Sequence, residues 1–299
     1  MSSRSSSAAG WSTRLGPAAP PDDLARRPDD PRLGEVTEFW RGDPGAIRPG
    51  RAVLVGFPQD EGVRRNHGRP GAAAAPREIR RWLYRLTPWD GASDTDLTSL
   101  PPLDLGDVRV GDDVQESQEM LAAVVAAVLE RGGVPVVLGG GHETAYGHFL
   151  GYAARGLRAG LINLDAHLDV RPFKPGHGHS GSSFRQALEH ASRPLYACLG
   201  AQPHSTSRDH FLYARRQGCS VYWAAEIASR LEECFARECD RMAAAGCAVM
   251  VSLDADVVGA AEVPGVSAPN VAGLSGEEVR RCVRRAGLSP QVASFDLVE

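Results

Sequence analysis

Short, nearly continuous apolar runs recur along the chain: Ala52-Val-Leu-Val-Gly56, Val134-Pro-Val-Val-Leu138, Leu161-Ile-Asn-Leu164, Leu195-Tyr-Ala-Cys-Leu199, Ala248-Val-Met-Val-Ser-Leu253 and Val292-Ala-Ser-Phe295. Runs without polar alternation are what strands buried on both faces require. Helical patterns fill the gaps. Pro76 suits a first helical turn, and Ile79, Trp82, Leu83 and Leu86 follow at i, i+3, i+4, i+7 spacing. Asp113 and Glu116 read as a capping box opening a helix through Leu129, which Gly132 ends. A further helix is expected from Ala225 to about Ala245. Strands alternating with helices predict an α/β fold with a mainly parallel sheet and right-handed crossovers.

Residues 1–46, rich in Ser, Ala, Pro and Asp, lack this periodicity and are expected to be a poorly structured leader that wraps the surface. Residues 47–299 form the expected catalytic-type domain, long enough for a real core. The 33 basic and 37 acidic residues leave a net charge of −4, without the basic excess of a nucleic-acid binder. The longest apolar stretch, Met120 to Leu129, is ten residues, too short for a bilayer span, and no apolar segment of signal-peptide type opens the chain. Six cysteines without a CxxC pair read as reduced, buried thiols, which suits a cytoplasmic protein.

In such sheets, ligands gather beyond the carboxyl ends of strands. Three runs end there in polar residues: Gly139-Gly-Gly-His142-Glu143, Asp165-Ala-His167-Leu-Asp169 and Asp254-Ala-Asp256. In extended backbone, positions i, i+2 and i+4 project to one side, so Asp165, His167 and Asp169 can converge, and Asp254 and Asp256 can join them. A lone Asp-x-Asp after a strand is usually a turn or cap. Four carboxylates and two imidazoles together instead repel unless cations neutralise them. Two divalent ions about 3.5–4 Å apart would do so. An oxygen-rich donor set with some imidazole favours Mn²⁺ over Zn²⁺.

Other motifs fail. The glycine run lacks the third glycine of a dinucleotide fingerprint, Gly178-His-Ser-Gly-Ser182 follows no convincing strand, and Lys174, the only lysine, stands in no phosphate loop. His67 and His177 read as loop residues, His148 as a packing residue, and Glu143 as an orienting group rather than a ligand.

The blocks GGGHE, DAHLD and SLDAD, in this order, resemble the ureohydrolases: arginases, agmatinases and formimidoylglutamases. The resemblance runs from about Ala52 to Glu299. The stretch Gly56 to Asn66, the segment Ser180 to Gln186 and the loop Pro264 to Pro269 look like the formimidoylglutamase branch. It implies a three-layer α/β/α sandwich of the arginase/deacetylase kind, assembled as a trimer or hexamer. It also implies a dimanganese centre held by His142, Asp165, His167, Asp169, Asp254 and Asp256, with His179 as proton shuttle and Glu299 facing the amidine. Family members continue past this glutamate with a loop and a helix, so truncation at the carboxy end is expected.

The implied reaction is hydrolysis of N-formimidoyl-L-glutamate to L-glutamate and formamide in histidine degradation. A metal-bridging hydroxide oriented by Asp256 would attack the amidine carbon, and His179 would protonate the departing nitrogen. A substrate with two carboxylates calls for arginine forks. Among Arg64, Arg65, Asn66, Arg69 and Arg185, the choice falls on Arg65, Asn66 and Arg185. Two alternatives stand: another ureohydrolase acting on arginine, agmatine or guanidinobutyrate, and a metal-binding homologue without turnover.

Overall fold

The computed structural model describes residues 10–20 and 29–299. Eleven strands are present among them: β1 (Glu38–Phe39), β2 (Ala52–Phe57), β3 (Trp89–Asp90), β4 (Thr95–Asp96), β5 (Leu103–Asp107), β6 (Val134–Gly139), β7 (Ala159–Leu164), β8 (Leu195–Ala201), β9 (Ser220–Trp223), β10 (Ala248–Asp254) and β11 (Val292–Val298). The helices are α1 (Leu33–Val36), α2 (Glu61–Arg65), α3 (Ala75–Leu83), α4 (Val114–Glu130), α5 (Thr144–Ala154), α6 (Ser183–Glu189), α7 (Arg208–Arg216), α8 (Ala224–Ile227), α9 (Leu231–Ala244) and α10 (Gly276–Gly287).

Nine strands form one sheet in the order β1-β5-β2-β6-β11-β10-β7-β8-β9, and every pairing within it is parallel. β3 and β4 make a separate antiparallel hairpin. Side-chain alternation splits the core between two helical layers. Ile162, Leu164, Val249, Val251 and Leu253 pack with Leu231, Phe235 and Met242 of α9 and Cys282 of α10. Leu161 and Met250, one residue out of phase, pack with Phe149 and Tyr152 of α5 and Phe184 of α6. The result is the expected α/β/α sandwich.

Local details depart from the sequence reading for physical reasons. Around α3 the apolar stripe is not the buried face: Trp82 is 64% exposed, and Leu86, beyond the helix end at Leu83, 57%. Arg80 and Tyr84 point inward instead. Arg80 donates to Asp104 at 2.7 Å and to Asp107 at 2.5 Å, and the Tyr84 hydroxyl donates to Asp104. Full charge pairing makes this polar contact tolerable inside. The same buried Asp104 lies in β5, a strand whose acidic residues hid it from the hydrophobic pattern. The helix expected over Ala225–Ala245 is split into α8 and α9 by a 3₁₀ turn at Ala228–Arg230. Asp113 caps α4, its carboxylate accepting from the amides of Gln115 and Glu116, but the return bond from the Glu116 side chain that the expected capping box requires is not made.

Part of the segment expected to be a poorly structured leader is packed. Trp11, 3% exposed, and Leu15 join the core beneath α4, and the Trp11 ring faces both Trp40 and the Arg131 guanidinium. Two large apolar side chains removed from water supply the driving force that the segment's composition concealed. Residues 1–9 and 21–28 of that expected leader lie outside the described residues.

Candidate metal centre

The carboxyl ends of β6, β7, β10 and β11, adjacent in the sheet, deliver the polar blocks to one place. The glycine triplet serves close packing there. A Cβ on Gly140 would lie 1.9 Å from the Gln59 carbonyl oxygen, and one on Gly141 would lie 2.4 Å from the Glu143 carboxylate. Only bare backbone lets the loop turn under residues 59–62 and project His142 inward. Asp169 reaches the site from a left-handed backbone, φ 46°.

Three carboxylate oxygens surround Nδ1 of His142: Asp165 Oδ2 at 3.2 Å, Asp169 Oδ2 at 2.9 Å and Asp254 Oδ2 at 3.1 Å. A second group lies beside it, where Nδ1 of His167 stands 2.9 Å from Asp256 Oδ2 and 3.4 Å from Asp165 Oδ1. Asp165 therefore turns one oxygen toward each group. All six residues expected to meet do so, and among them only His167 and Asp169 retain appreciable exposure.

Without a cation the cluster is electrostatically awkward. Burial, with Asp256 and Asp165 nearby, holds the Asp254 carboxyl well above the usual carboxylate range. Burial and Asp165 raise Asp256 to about 6. Burial alone would lower both imidazoles, but the surrounding carboxylates prevail, raising His142 well above its ordinary value and His167 to about 12. Yet His142 Nδ1 makes no hydrogen bond, although it is fully buried among acceptors. A buried nitrogen aimed at converging carboxylate oxygens fits a bound divalent cation, and two such donor groups are present.

His179 precedes a 3₁₀ turn at Ser180–Ser182. Its Nε2 lies 3.2 Å from the Pro172 carbonyl oxygen, while its buried Nδ1 has no partner. Burial lowers its pKa, Asp169 opposes that effect, and Arg171 and Arg65 reinforce it. Glu299 is anchored by its own amide, which donates to the Gly140 carbonyl at 2.9 Å, and its Oε1 accepts from the His142 amide at 3.4 Å. Burial pushes its side chain up to about 7, with Asp256 and Asp169 adding to the effect and His142 opposing it. Glu143, fully buried, accepts from the Gly62 amide at 2.9 Å, and burial together with Glu299 and Asp60 raises it to about 8.

The expected substrate residues separate into two kinds. Arg65 pairs with Glu61 at 3.4 Å and donates to the Gly178 carbonyl at 3.3 Å, and Asn66 donates to Ser180 Oγ at 3.1 Å, so both line the segment carrying His179. Arg185 is instead taken up by Glu189, at 2.8 Å, and by the Tyr213 ring, 4.2 Å from its guanidinium carbon. Arg171 takes the open cationic position. It is exposed and donates to Asn66 Oδ1 at 3.3 Å. The sequence reading missed it, although it stands two residues past Asp169. Arg64 pairs with Asp60 and Glu61, and Arg69 binds the Gly265 and Val266 carbonyls.

Behind the cluster lies a set of polar residues that the sequence reading also missed. Asn163, Ser252 and Asp296 are register partners across β7, β10 and β11. Asn163 donates to Asp165 Oδ2 at 2.8 Å. Strand periodicity was the available clue, since each of Asn163 and Ser252 lies two residues before an aspartate on the same face.

A model described as the arginase family matches residues 50–299. The formimidoylglutamase of Geobacillus thermodenitrificans is 39% identical over 252 residues, covering 83% of this chain and 76% of the relative. That of Chromobacterium violaceum is 37% identical over 289 residues, covering 90% and 87%. The crystal structure of Trypanosoma cruzi formiminoglutamase with Mn2+2 superposes with a TM-score of 0.80 at 33% identity, covering 91% of this chain and 90% of that one.

Proposed function

Because the chain belongs to the arginase family and is a hydrolase of C–N bonds, we propose that it cleaves N-formimidoyl-L-glutamate to L-glutamate and formamide. The observation that carries the substrate reading is the meeting of a cation-demanding carboxylate cluster with a rim bearing Arg65 and Arg171 beside His179. An amidine substrate ending in two carboxylates is complementary to both halves. Agmatine, itself cationic, would gain nothing from that rim.

The cofactor in this reading is a pair of Mn²⁺ ions. His142, Asp165, Asp169 and Asp254 would hold one, and Asp165, His167 and Asp256 the other. When bound, the pair supplies an acidified water near neutral pH and charge compensation for the oxygen-rich site.

This chain's own residues carry the rest. Asp256 accepts a hydrogen from the attacking water and aims it at the amidine carbon. Glu299 faces the amidine N–H groups. His179, kept neutral near pH 7 by burial, takes the proton released as water adds and passes it to the departing α-nitrogen, which would otherwise leave as a strongly basic amide anion. Arg65 and Arg171 bind the carboxylates, with Asn66 bridging them to the 178–180 segment. The glutamate moiety is thereby fixed while the amidine end meets the nucleophile.

No helix among the described residues is long and apolar enough to cross a membrane. The reading further assigns the enzyme to the cytoplasm, to histidine breakdown, and to a homo-oligomer of trimer or hexamer type. The deciding assay offers Mn²⁺-loaded protein a panel of formimidoylglutamate, arginine, agmatine and guanidinobutyrate. Formamide from the first alone is the expected result. Urea from any of the others would overturn the substrate reading, and loaded protein inert on all four would overturn the activity.

A further inference from the structure

A chain of buried hydrogen bonds leads away from the metal centre into the sheet and α5. His142 Nε2 lies 3.0 Å from Ser252 Oγ, Ser252 Oγ lies 2.5 Å from Asp296 Oδ1, and Asp296 Oδ2 lies 2.6 Å from His148 Nδ1. All four residues are at most 1% exposed. Ser252 and Asp296 are direct register partners on neighbouring parallel strands, β10 and β11, and His148 comes from α5, which packs over them. None of the three outer residues touches the carboxylate cluster.

The direction of this chain is set by chemistry. A carboxylate only accepts, so Asp296 must receive hydrogens from both neighbours, the Ser252 hydroxyl on one side and the His148 N–H on the other. Having given its hydrogen to Asp296, Ser252 has only lone pairs left for His142. It must accept from His142 Nε2–H. A neutral imidazole carrying its hydrogen on Nε2 carries its lone pair on Nδ1. That is the atom surrounded by Asp165, Asp169 and Asp254.

We infer that Asp296, acting through Ser252 and backed by His148, is a positioning residue that fixes the His142 tautomer and ring orientation and thereby sets the affinity of one of the two metal positions. The inference rests on His142 being a ligand, as the proposed function requires. Replacing Asp296 by Asn removes the obligatory acceptor. The amide can donate to Ser252, whose hydrogen can then turn toward His142 Nε2 and favour the opposite tautomer. Replacing Ser252 by Ala breaks the chain while leaving Asp296 and His148 paired. Asn163 supports Asp165 from the same face but carries no tautomer choice, so it serves as the comparison.

The test is calorimetric titration of metal-stripped protein with Mn²⁺, with circular dichroism to show that each variant is folded. Wild type is expected to take up two ions. Ser252→Ala and Asp296→Asn are expected to bind one ion about 10- to 100-fold more weakly while the other is held as in wild type. Ser252→Thr, which keeps the hydroxyl, should restore the wild-type isotherm. In turnover, the two weakened variants should lose kcat at limiting Mn²⁺ and recover it in excess, with KM unchanged. If Ser252→Ala and Asp296→Asn bind both ions like wild type, the inference is wrong. Should Asp296→Asn fail to fold, Ser252→Ala and its Thr counterpart decide alone. A wild-type chain that binds no Mn²⁺ would refute the functional reading itself, a different result from two well-bound ions in every variant.

Discussion

Asp169 Oδ2 stands 2.9 Å from His142 Nδ1, an acid and a base held together inside a site that also gathers Asp165 and Asp254. Each such contact favours a proton on the imidazole as long as no metal is there. The cation and the proton therefore compete for one nitrogen.

Metal uptake should accordingly release protons. His142 is raised well above its ordinary value and His167 to about 12, so both carry a proton at neutral pH in the stripped protein. Binding needs the neutral imidazoles, so affinity should rise with pH across pH 6 to 8, by about tenfold per unit for each proton displaced. Calorimetry in buffers of different ionisation enthalpy reads the number released. Heats that do not depend on the buffer would contradict this account.

The arginines should differ in a predictable order. Arg65→Ala and Arg171→Ala each remove a charge-assisted contact of about 1.5–3 kcal/mol to a substrate carboxylate, which corresponds to a KM about 10- to 100-fold higher with kcat little altered. Arg185→Ala should leave KM within about threefold of wild type, since Glu189 and Tyr213 already occupy that guanidinium. Steady-state kinetics on the three variants gives the ranking, and a large effect of Arg185 alone would reverse it.

His179→Ala should reduce kcat by about 10²- to 10⁴-fold, the usual worth of a positioned proton carrier. Metal content should not change, because Nε2 is engaged by the Pro172 carbonyl and Nδ1 makes no hydrogen bond to a cluster residue. Elemental analysis alongside turnover separates the two. Loss of metal together with activity would make His179 a structural residue.

Glu143 predicts a pH dependence of stability. Its folded-state value, about 8, lies above the ordinary 4.5, so the folded chain holds this proton more tightly than the unfolded chain does. The associated stability is fully present below about pH 4.5 and is lost as pH climbs toward 8, at no more than about 1.4 kcal/mol per pH unit. Denaturant unfolding of stripped Glu143→Gln protein should show a shallower loss between pH 5 and 8 than wild type. Parallel curves would remove Glu143 as the cause.

Much of this molecule can be read from its sequence where a single pattern dominates. The apolar runs that become β2, β6, β7, β8, β10 and β11 stand out because both sheet faces are covered. Asp165, His167 and Asp169 stand out because three metal-type side chains on alternate positions have no inexpensive structural use. The pattern fails where polar groups satisfy one another internally. Asp104 makes β5 look like a loop until Arg80 and Tyr84 close on it. Ser252 and Asp296 vanish within apolar strands, since their value lies in a register that only pairing reveals. Arg65 and Arg185 each pair with a glutamate one helical turn away, and only the Gly178 carbonyl beside one and the Tyr213 ring beneath the other tell them apart.

One consequence follows from where β11 sits. Among the described residues, this strand is the only one in the sheet that joins two half-sheets, β1-β5-β2-β6 and β10-β7-β8-β9. Until residues 292–298 pair, each half keeps a raw inner edge, with His142 stranded on one and the aspartates on the other. The centre can therefore assemble only once β11 has paired on both sides, and before that the two halves expose edges prone to wrong pairing.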